Sequence, residues 1–88
     1  MESPIKIIRR RLGITQCGLA AITKIPQSRI SIFESGFGKP PENAYQKISI
    51  ATGFDIFKLK AENEMFMEFK RNELQDKIQL IKDQNTQF

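Results

Sequence analysis

The chain has 88 residues, which is enough for one small domain and too few for two. Its net charge is +4. One cysteine and no histidine exclude an internal disulfide, a histidine-based catalytic triad and a Cys/His zinc site. No apolar run approaches the roughly 18 residues of a membrane span, and the N-terminus lacks the apolar core of a signal peptide. We therefore expect a cytoplasmic protein that is not an enzyme and that holds no metal or cofactor.

Basic charge is concentrated in the first two-thirds of the chain. Residues 1–60 contain ten Lys and Arg against four Asp and Glu, whereas residues 61–88 contain four against six. A basic region favours a partner that carries phosphate, because positive side chains attract negatively charged phosphate groups. A solvated charged surface without a partner is the alternative interpretation.

The sequence predicts short helices separated by turn residues, and no strand. Ser3 caps the first helix, Pro4 occupies its first position and Gly13 ends it. Thr15 caps the second helix, and residues 23–26 form the turn that follows. Helical spacing predicts that the inward side chains of these two helices are Ile5, Ile8, Leu12, Leu19, Ala20 and Ile22.

Three more helices are predicted beyond the turn. The third runs from about residue 27 to 35 and the fourth from about 42 to 52, with a loop at 36–41 between them. Gly53 ends the fourth helix, and Asp55 caps the fifth. The predicted inward side chains are Ile30, Phe33, Ala44, Tyr45, Ile48, Ala51, Ile56, Phe57 and Leu59.

The segment 16–34 predicts two short helices that cross at a steep angle. Ala20 permits close approach, Ile25 fills the corner, and Ile30 and Phe33 anchor the second helix in the core. The outer face of this helix is polar and nearly free of acidic residues, which suits the major groove of DNA. It carries Gln27, Ser28, Arg29, Ser31 and Ile32, and ordinary solvated surface is the alternative interpretation.

Many residues around this segment stand at offsets that characterise a known family. They are Arg9, Gly13-Ile14-Thr15-Gln16, Leu19-Ala20, Ile25, Ile30-Ser31, Phe33-Glu34-Ser35-Gly36, Pro40, Ile48 and Ala51-Thr52-Gly53. Through these residues, the segment from about residue 5 to residue 60 resembles the Cro/repressor-type (XRE-like) helix-turn-helix family of lambdoid phage repressors and bacterial regulators. The resemblance implies an all-α, five-helix, lambda-repressor-like DNA-binding domain, here with an extended C-terminal helix.

The resemblance also implies which residues contact DNA. Gln16 and Lys39 bind phosphates, which sets the register but not the sequence preference. The five residues of the outer face contact bases, and Gln27 suits adenine, whereas Arg29 either reads a guanine or holds a phosphate. Arg10 and Arg11 either reach the DNA backbone or form a solvated helix face.

One pair of residues is assigned to the scaffold. The resemblance implies a partly buried salt bridge between Arg9 and Glu34. Three positions depart from the family pattern: Gly18 replaces a common acidic residue, Lys24 a turn glycine and Pro26 a Ser or Thr cap. Positive φ at a residue other than glycine costs about 1–2 kcal/mol, so these departures bear on stability more than on function.

Residues 1–60 form the predicted DNA-binding domain. The C-terminal part, residues 61–88, lies outside the resemblance to the family. Residues 61–82 predict one long helix, which can continue the fifth, and residues 83–88 are expected to fray. An imperfect apolar stripe on this helix predicts homodimerisation, with an intramolecular cap on the core as the alternative. The stripe consists of Phe66, Phe69, Leu74, Ile78 and Ile81.

These expectations combine into a sequence-specific, double-stranded DNA-binding transcriptional regulator. The predicted protein is a bacterial or phage repressor that binds a palindromic operator as a homodimer on the nucleoid. The alternative is the antitoxin of a toxin–antitoxin pair, which binds a toxin protein through the C-terminal helix and also binds its own promoter. No small-molecule ligand and no membrane are expected in either case.

Overall fold

A computed structural model describes residues 1–85, and within this range the chain forms five helices and no strand. The helices are α1 (Pro4–Arg11), α2 (Gln16–Thr23), α3 (Gln27–Ser35), α4 (Glu42–Thr52) and α5 (Ile56–Asn85). The all-α prediction is confirmed, and the bounds predicted for the third and fourth helices match. Residues 83–85, within the end that was expected to fray, continue α5, and residues 86–88 lie outside the described residues.

Side-chain caps fix where the first two helices begin. The Ser3 hydroxyl accepts a hydrogen bond from the Lys6 amide at 3.4 Å, and Pro4 follows at the first helical position. The Thr15 hydroxyl accepts from the Gly18 amide at 3.0 Å. Each cap satisfies an amide that has no partner inside its helix.

One apolar core joins all five helices. It consists of Ile5, Ile8, Leu19, Ile25, Ile30, Phe33, Ala44, Tyr45, Ile48 and Leu59, and the half-buried side chains of Ile14, Ala20, Phe54 and Ile56 pack against it. Burial of these apolar side chains is the main term that stabilises a domain of this size.

Four side chains predicted to point inward are exposed instead: Leu12, Ile22, Ala51 and Phe57. The core face of α2 passes through Leu19 and Thr23, one turn apart, which leaves Ile22 on the outside. Thr23 can occupy the buried position because its hydroxyl donates to the Leu19 carbonyl at 2.6 Å. The prediction failed because it favoured the apolar residue type over the helical register.

The two halves of α5 have different surroundings. In the first half Leu59, Asn63 and Phe66 are buried against the other helices. Between residues 71 and 84 no side chain is buried, and the longest dimension of the molecule is 53 Å against 24 and 22 Å for the others. The helix continues without a break across the predicted boundary at residues 60 and 61, and its second half projects from the domain.

None of the helices within residues 1–85 has both the length and the apolar character needed to cross a membrane.

Candidate nucleic-acid interface

The connection between α2 and α3 consists of residues 24–26 and contains no glycine. Lys24 ends α2 in the left-handed region, with φ 59° and ψ 25°, as its position in the turn predicted. Ile25 is buried in the corner, and Pro26 begins α3 without a side-chain cap. The turn thus sets the direction of α3 through one unfavourable backbone conformation and one apolar contact.

The outer face of α3 is exposed to solvent. All five of its predicted base-contacting residues are exposed: Gln27, Ser28, Arg29, Ser31 and Ile32. On the opposite side Ile30 and Phe33 are 0% and 5% exposed, so the helix cannot turn without opening the core. The only acidic residue of α3 is Glu34, which points towards α1.

A side-chain contact orients the first residue of this face. The Cys17 thiol donates to the Gln27 side-chain oxygen at 2.9 Å. The Gln27 amide nitrogen keeps both donors free, and its oxygen keeps one lone pair. No sequence pattern connects positions 17 and 27, because the contact exists only once the two helices lie side by side.

Ile32 is exposed by half, because the following loop covers one of its sides. Its γ2 methyl group lies so close to Gly38 that a Cβ on that residue would overlap it. The loop therefore requires glycine at position 38, and Ile32 presents only its remaining side to a ligand.

Arg29 lies on the flank of α3 that faces α4, where a shallow groove of about 210 Å³ separates the two helices. Lys24 and Lys47 line the same groove together with Asn43, and no acidic residue does. The sequence did not single out Lys24, Lys47 or Asn43 as binding residues, because only the packing of α4 places them beside the turn. Lys24 and Lys47 add two positive charges to that of Arg29 along this groove.

Gln16 does not extend freely from the start of α2. Its side-chain amide donates to the Glu34 carboxylate at 3.3 Å, and the residue is half-buried. An amide group has two N–H donors, so one remains for another acceptor. The predicted phosphate contact at this position therefore competes with a bond inside the domain.

The salt bridge between Arg9 and Glu34 joins α1 to α3. Two guanidinium nitrogens each donate to one carboxylate oxygen at 3.0 Å, and a third donates to the Ile14 carbonyl at 3.1 Å. The two side chains are only 14% and 6% exposed. Hydrogen bonding to Glu34 raises the pKa of Arg9 above its usual value, so the guanidinium stays charged.

The remaining cations predicted to contact phosphate have neighbours on α1, α5 and the loop after α3. Arg10 pairs with Glu2 at 2.7 Å, and Arg11 lines a groove between α1 and α5 that includes no residue of α3. Lys39 lies in the loop after α3, but it borders α5 near Glu64 and Glu68. None of these three residues lines the groove beside Arg29.

Within residues 1–85 no group of three or more His, Cys, Asp or Glu side chains could hold a metal ion. Comparison with family models, with curated proteins and with solved structures gives no match to this chain.

Proposed function

We propose that the protein is a sequence-specific, double-stranded DNA-binding transcriptional regulator with a lambda-repressor-like helix-turn-helix fold. In this proposal it is a cytoplasmic repressor that acts as a homodimer on a palindromic operator. The observation that carries the proposal is the outer face of α3, which is exposed, polar and free of acidic side chains. A helix of this kind, held rigidly from behind, fits the width of the major groove.

The position of Gln27 at the start of α3 suits base contacts, since the first residues of a recognition helix reach furthest into the groove. Its amide nitrogen can donate to N7 of adenine while its oxygen accepts from N6. The Cys17 thiol occupies one lone pair of that oxygen and so holds the side chain in one orientation. A side chain that is already oriented loses less conformational entropy on binding.

The basic groove beside Arg29 suits phosphate contacts. Lys24, Arg29 and Lys47 have no ion-pair partner among the described residues. Each phosphate that they neutralise releases a counterion from the DNA, so affinity must fall steeply with salt. Phosphate contacts on this flank hold α3 in register while the outer face contacts bases.

Selection of bound sites from a random pool of duplex DNA tests the proposal. We expect a palindromic consensus, with affinity for it that falls linearly on a log–log plot against salt concentration. Gln27→Ala should reduce the preference for one base pair in each half-site by about 1–3 kcal/mol. The matched control is Gln46→Ala, at an exposed position of α4, which should change neither affinity nor preference.

Two results would count against the proposal. If no DNA sequence is enriched from the pool, the protein does not bind DNA sequence-specifically. An unchanged consensus for Gln27→Ala, with wild-type affinity, would remove α3 as the recognition helix and leave its polar face as solvated surface.

A further inference from the structure

The projecting half of α5 carries apolar side chains that its own domain does not cover. Leu74, Ile78 and Ile81 are 44%, 44% and 57% exposed, and they lie on one side of the helix. A free helix of about 15 residues is marginal in water, and most helical stability comes from packing of an apolar face. This half of α5 therefore requires a second surface.

The spacing of these residues identifies that surface as another helix. Met67, Arg71, Leu74, Ile78 and Ile81 follow one another at alternating steps of four and three residues. An average step of 3.5 residues is the pattern along which two helices pack with interlocking side chains. Phe66 does not belong to this seam, because it is 1% exposed and packs beside Gly36 of its own chain.

Arg71 selects the relative direction of the two helices. In a parallel pair of identical helices, each seam residue faces its own copy, which would place two Arg71 guanidinium groups together in the seam. In an antiparallel pair with its two-fold axis at residue 76, Arg71 faces Ile81 of the other copy and Leu74 faces Ile78. Like charges at close range are unfavourable, so the antiparallel arrangement is preferred.

The charges beside the seam favour the same direction. The antiparallel arrangement brings Glu68 of each chain next to Lys82 of the other, whereas a parallel pair would bring Lys77 next to Lys82. Glu68 and Lys82 have no ion-pair partner within the described residues. Lys77, which approaches its own copy near the two-fold axis, is partly neutralised by Glu73 of its own helix at 3.8 Å.

We propose that α5 forms an antiparallel pair with α5 of a second copy of this chain, along the seam Met67–Arg71–Leu74–Ile78–Ile81. The proposal deepens the homodimer of the proposed function and rests on it for the association of two copies. It does not depend on DNA binding, because none of these residues belongs to α3.

Sedimentation equilibrium of the full chain, with charge changes beside the seam, tests the direction. Glu68→Lys and Lys82→Glu should each weaken the dimer about tenfold, because each turns two weak attractions into two repulsions. The double variant Glu68→Lys/Lys82→Glu should recover the wild-type affinity. Asp76→Lys is the matched control for Glu68→Lys, since it makes the same change of charge on the side away from the seam.

The same measurement contains the contrary results. A parallel pair would be strengthened by Lys82→Glu, which would then attract Lys77 of the other copy. A chain that remains monomeric at all concentrations would also overturn the pairing, and the stripe would then be free for a different protein, as in an antitoxin.

Disulfide trapping provides an independent test in a Cys17→Ser background. A mixture of Arg71→Cys and Ile81→Cys chains should form the mixed dimer, and Ile81→Cys alone should form almost none. Efficient linkage of Ile81→Cys to itself would contradict the antiparallel arrangement.

A third comparison separates the seam from the other exposed apolar surface. Ile78→Asp should abolish the dimer, whereas Phe57→Asp, which changes a side chain that is 79% exposed elsewhere on α5, should not. The reverse result would place the interface at Phe57. Because these variants leave α3 intact, a lost dimer with retained binding to a single half-site would separate failure of the pairing from failure of DNA recognition.

Discussion

Lys24 combines an unfavourable backbone conformation with a position in the basic groove beside Arg29. Its left-handed conformation, with φ 59°, costs about 1–2 kcal/mol relative to a residue in the right-handed region. Its side chain, however, adds a third cation to the groove that Arg29 and Lys47 line. A glycine would relieve the backbone and remove that cation, so stability and DNA affinity should respond in opposite directions.

We expect Lys24→Gly to raise the free energy of unfolding by up to about 1 kcal/mol. It should weaken binding to all DNA sequences alike and reduce the salt slope by about one. Lys24→Gln is the control, because it removes the charge and keeps the unfavourable conformation. Urea unfolding and salt titrations of DNA binding measure the two effects, and a Lys24→Gly protein with unchanged salt slope would remove Lys24 from the interface.

The ion pair between Arg9 and Glu34 gives a second prediction for single residues. Glu34→Leu leaves a buried guanidinium without its carboxylate and should destabilise the protein by about 3–5 kcal/mol. The double variant Arg9→Met/Glu34→Leu should recover most of that loss, because no uncompensated charge remains. Urea unfolding of the three proteins tests this, and an additive loss in the double variant would contradict it.

Gly18 shows why stability could not be judged residue by residue from the sequence. The sequence indicates a glycine that weakens its helix. In the structure a Cβ at this position would lie 3.3 Å from the Cβ of Ile14, which is tighter than an ordinary van der Waals contact. The glycine thus permits the close turn between α1 and α2, and this benefit depends on a neighbour that the sequence could not place.

At the level of the helices, Gly36 allows α5 to pack closely against the end of α3. Its φ is +86°, and an added Cβ would lie 2.7 Å from the Lys70 Cγ and 3.0 Å from the Phe66 ring. Gly53 has a similar φ of +77° and nothing within 4 Å of an added Cβ. The two glycines therefore share the backbone requirement and differ in the packing around them.

We expect Gly53→Ala to cost about 1–2 kcal/mol of unfolding free energy, from the backbone conformation alone. Gly36→Ala should cost more, and the difference measures the packing of α5 on α3. Thermal unfolding of both variants provides the comparison. Equal losses would show that α5 can move aside at no cost.

A buried polar pair joins α4 to α5. The Asn63 side-chain amide, which is fully buried, donates to the Tyr45 hydroxyl at 3.0 Å. The Asn63 side-chain oxygen is buried without a hydrogen-bond partner among the described residues. Such an atom loses its contacts with water and gains nothing in return.

Replacing both members of this pair should restore the stability that is lost when only one of them is replaced. Tyr45→Phe leaves the Asn63 amide group without its main acceptor and should cost about 1–3 kcal/mol. The double variant Tyr45→Phe/Asn63→Leu should equal or exceed the wild-type stability, since apolar groups of similar shape replace both partners. A double variant less stable than Tyr45→Phe would show that the polar pair has a net stabilising role.

Tyr45 also predicts a dependence on pH. Burial raises the pKa of its phenol above the ordinary value near 10, because the charged form is poorly solvated there. The folded state therefore holds its proton more tightly than the unfolded state. The resulting stability is complete below pH 10 and is lost as the pH rises through the raised pKa. Urea unfolding between pH 9 and 11.5 should show a decline that Tyr45→Phe lacks.

Most helices could be predicted from the sequence because their signals are local. Ser3, Thr15, Gly36 and Gly53 mark helix ends through caps and left-handed turns, and α3 and α4 begin and end where predicted. The contacts between helices could not be predicted from such local signals. Asn63 stands one turn from Leu59 and from Phe66, but its polar side chain removed it from a search for apolar spacing.

At the level of the whole molecule, the candidate interface was predicted only where one helix determines it. The outer face of α3 follows from the spacing of Ile30 and Phe33 within a single helix. The groove with Lys24 and Lys47, the contact of Cys17 with Gln27 and the bond of Gln16 to Glu34 all join residues of different helices. Such contacts depend on how the helices pack, which no local pattern specifies.

The continuity of α5 has a consequence for the DNA site. In the proposed antiparallel pair, about 13 residues of uninterrupted helix separate the buried centre of α5 from the two-fold axis, so the two attachment points are about 40 Å apart. This is close to the 34–36 Å of one turn of DNA. Inserting seven residues after Lys70 would preserve the phase of the seam and add about 21 Å, or six base pairs. Half-sites spaced for the wild-type protein would then lie about six base pairs too close together for the lengthened dimer, so in this proposal the length of α5 sets the number of base pairs between them.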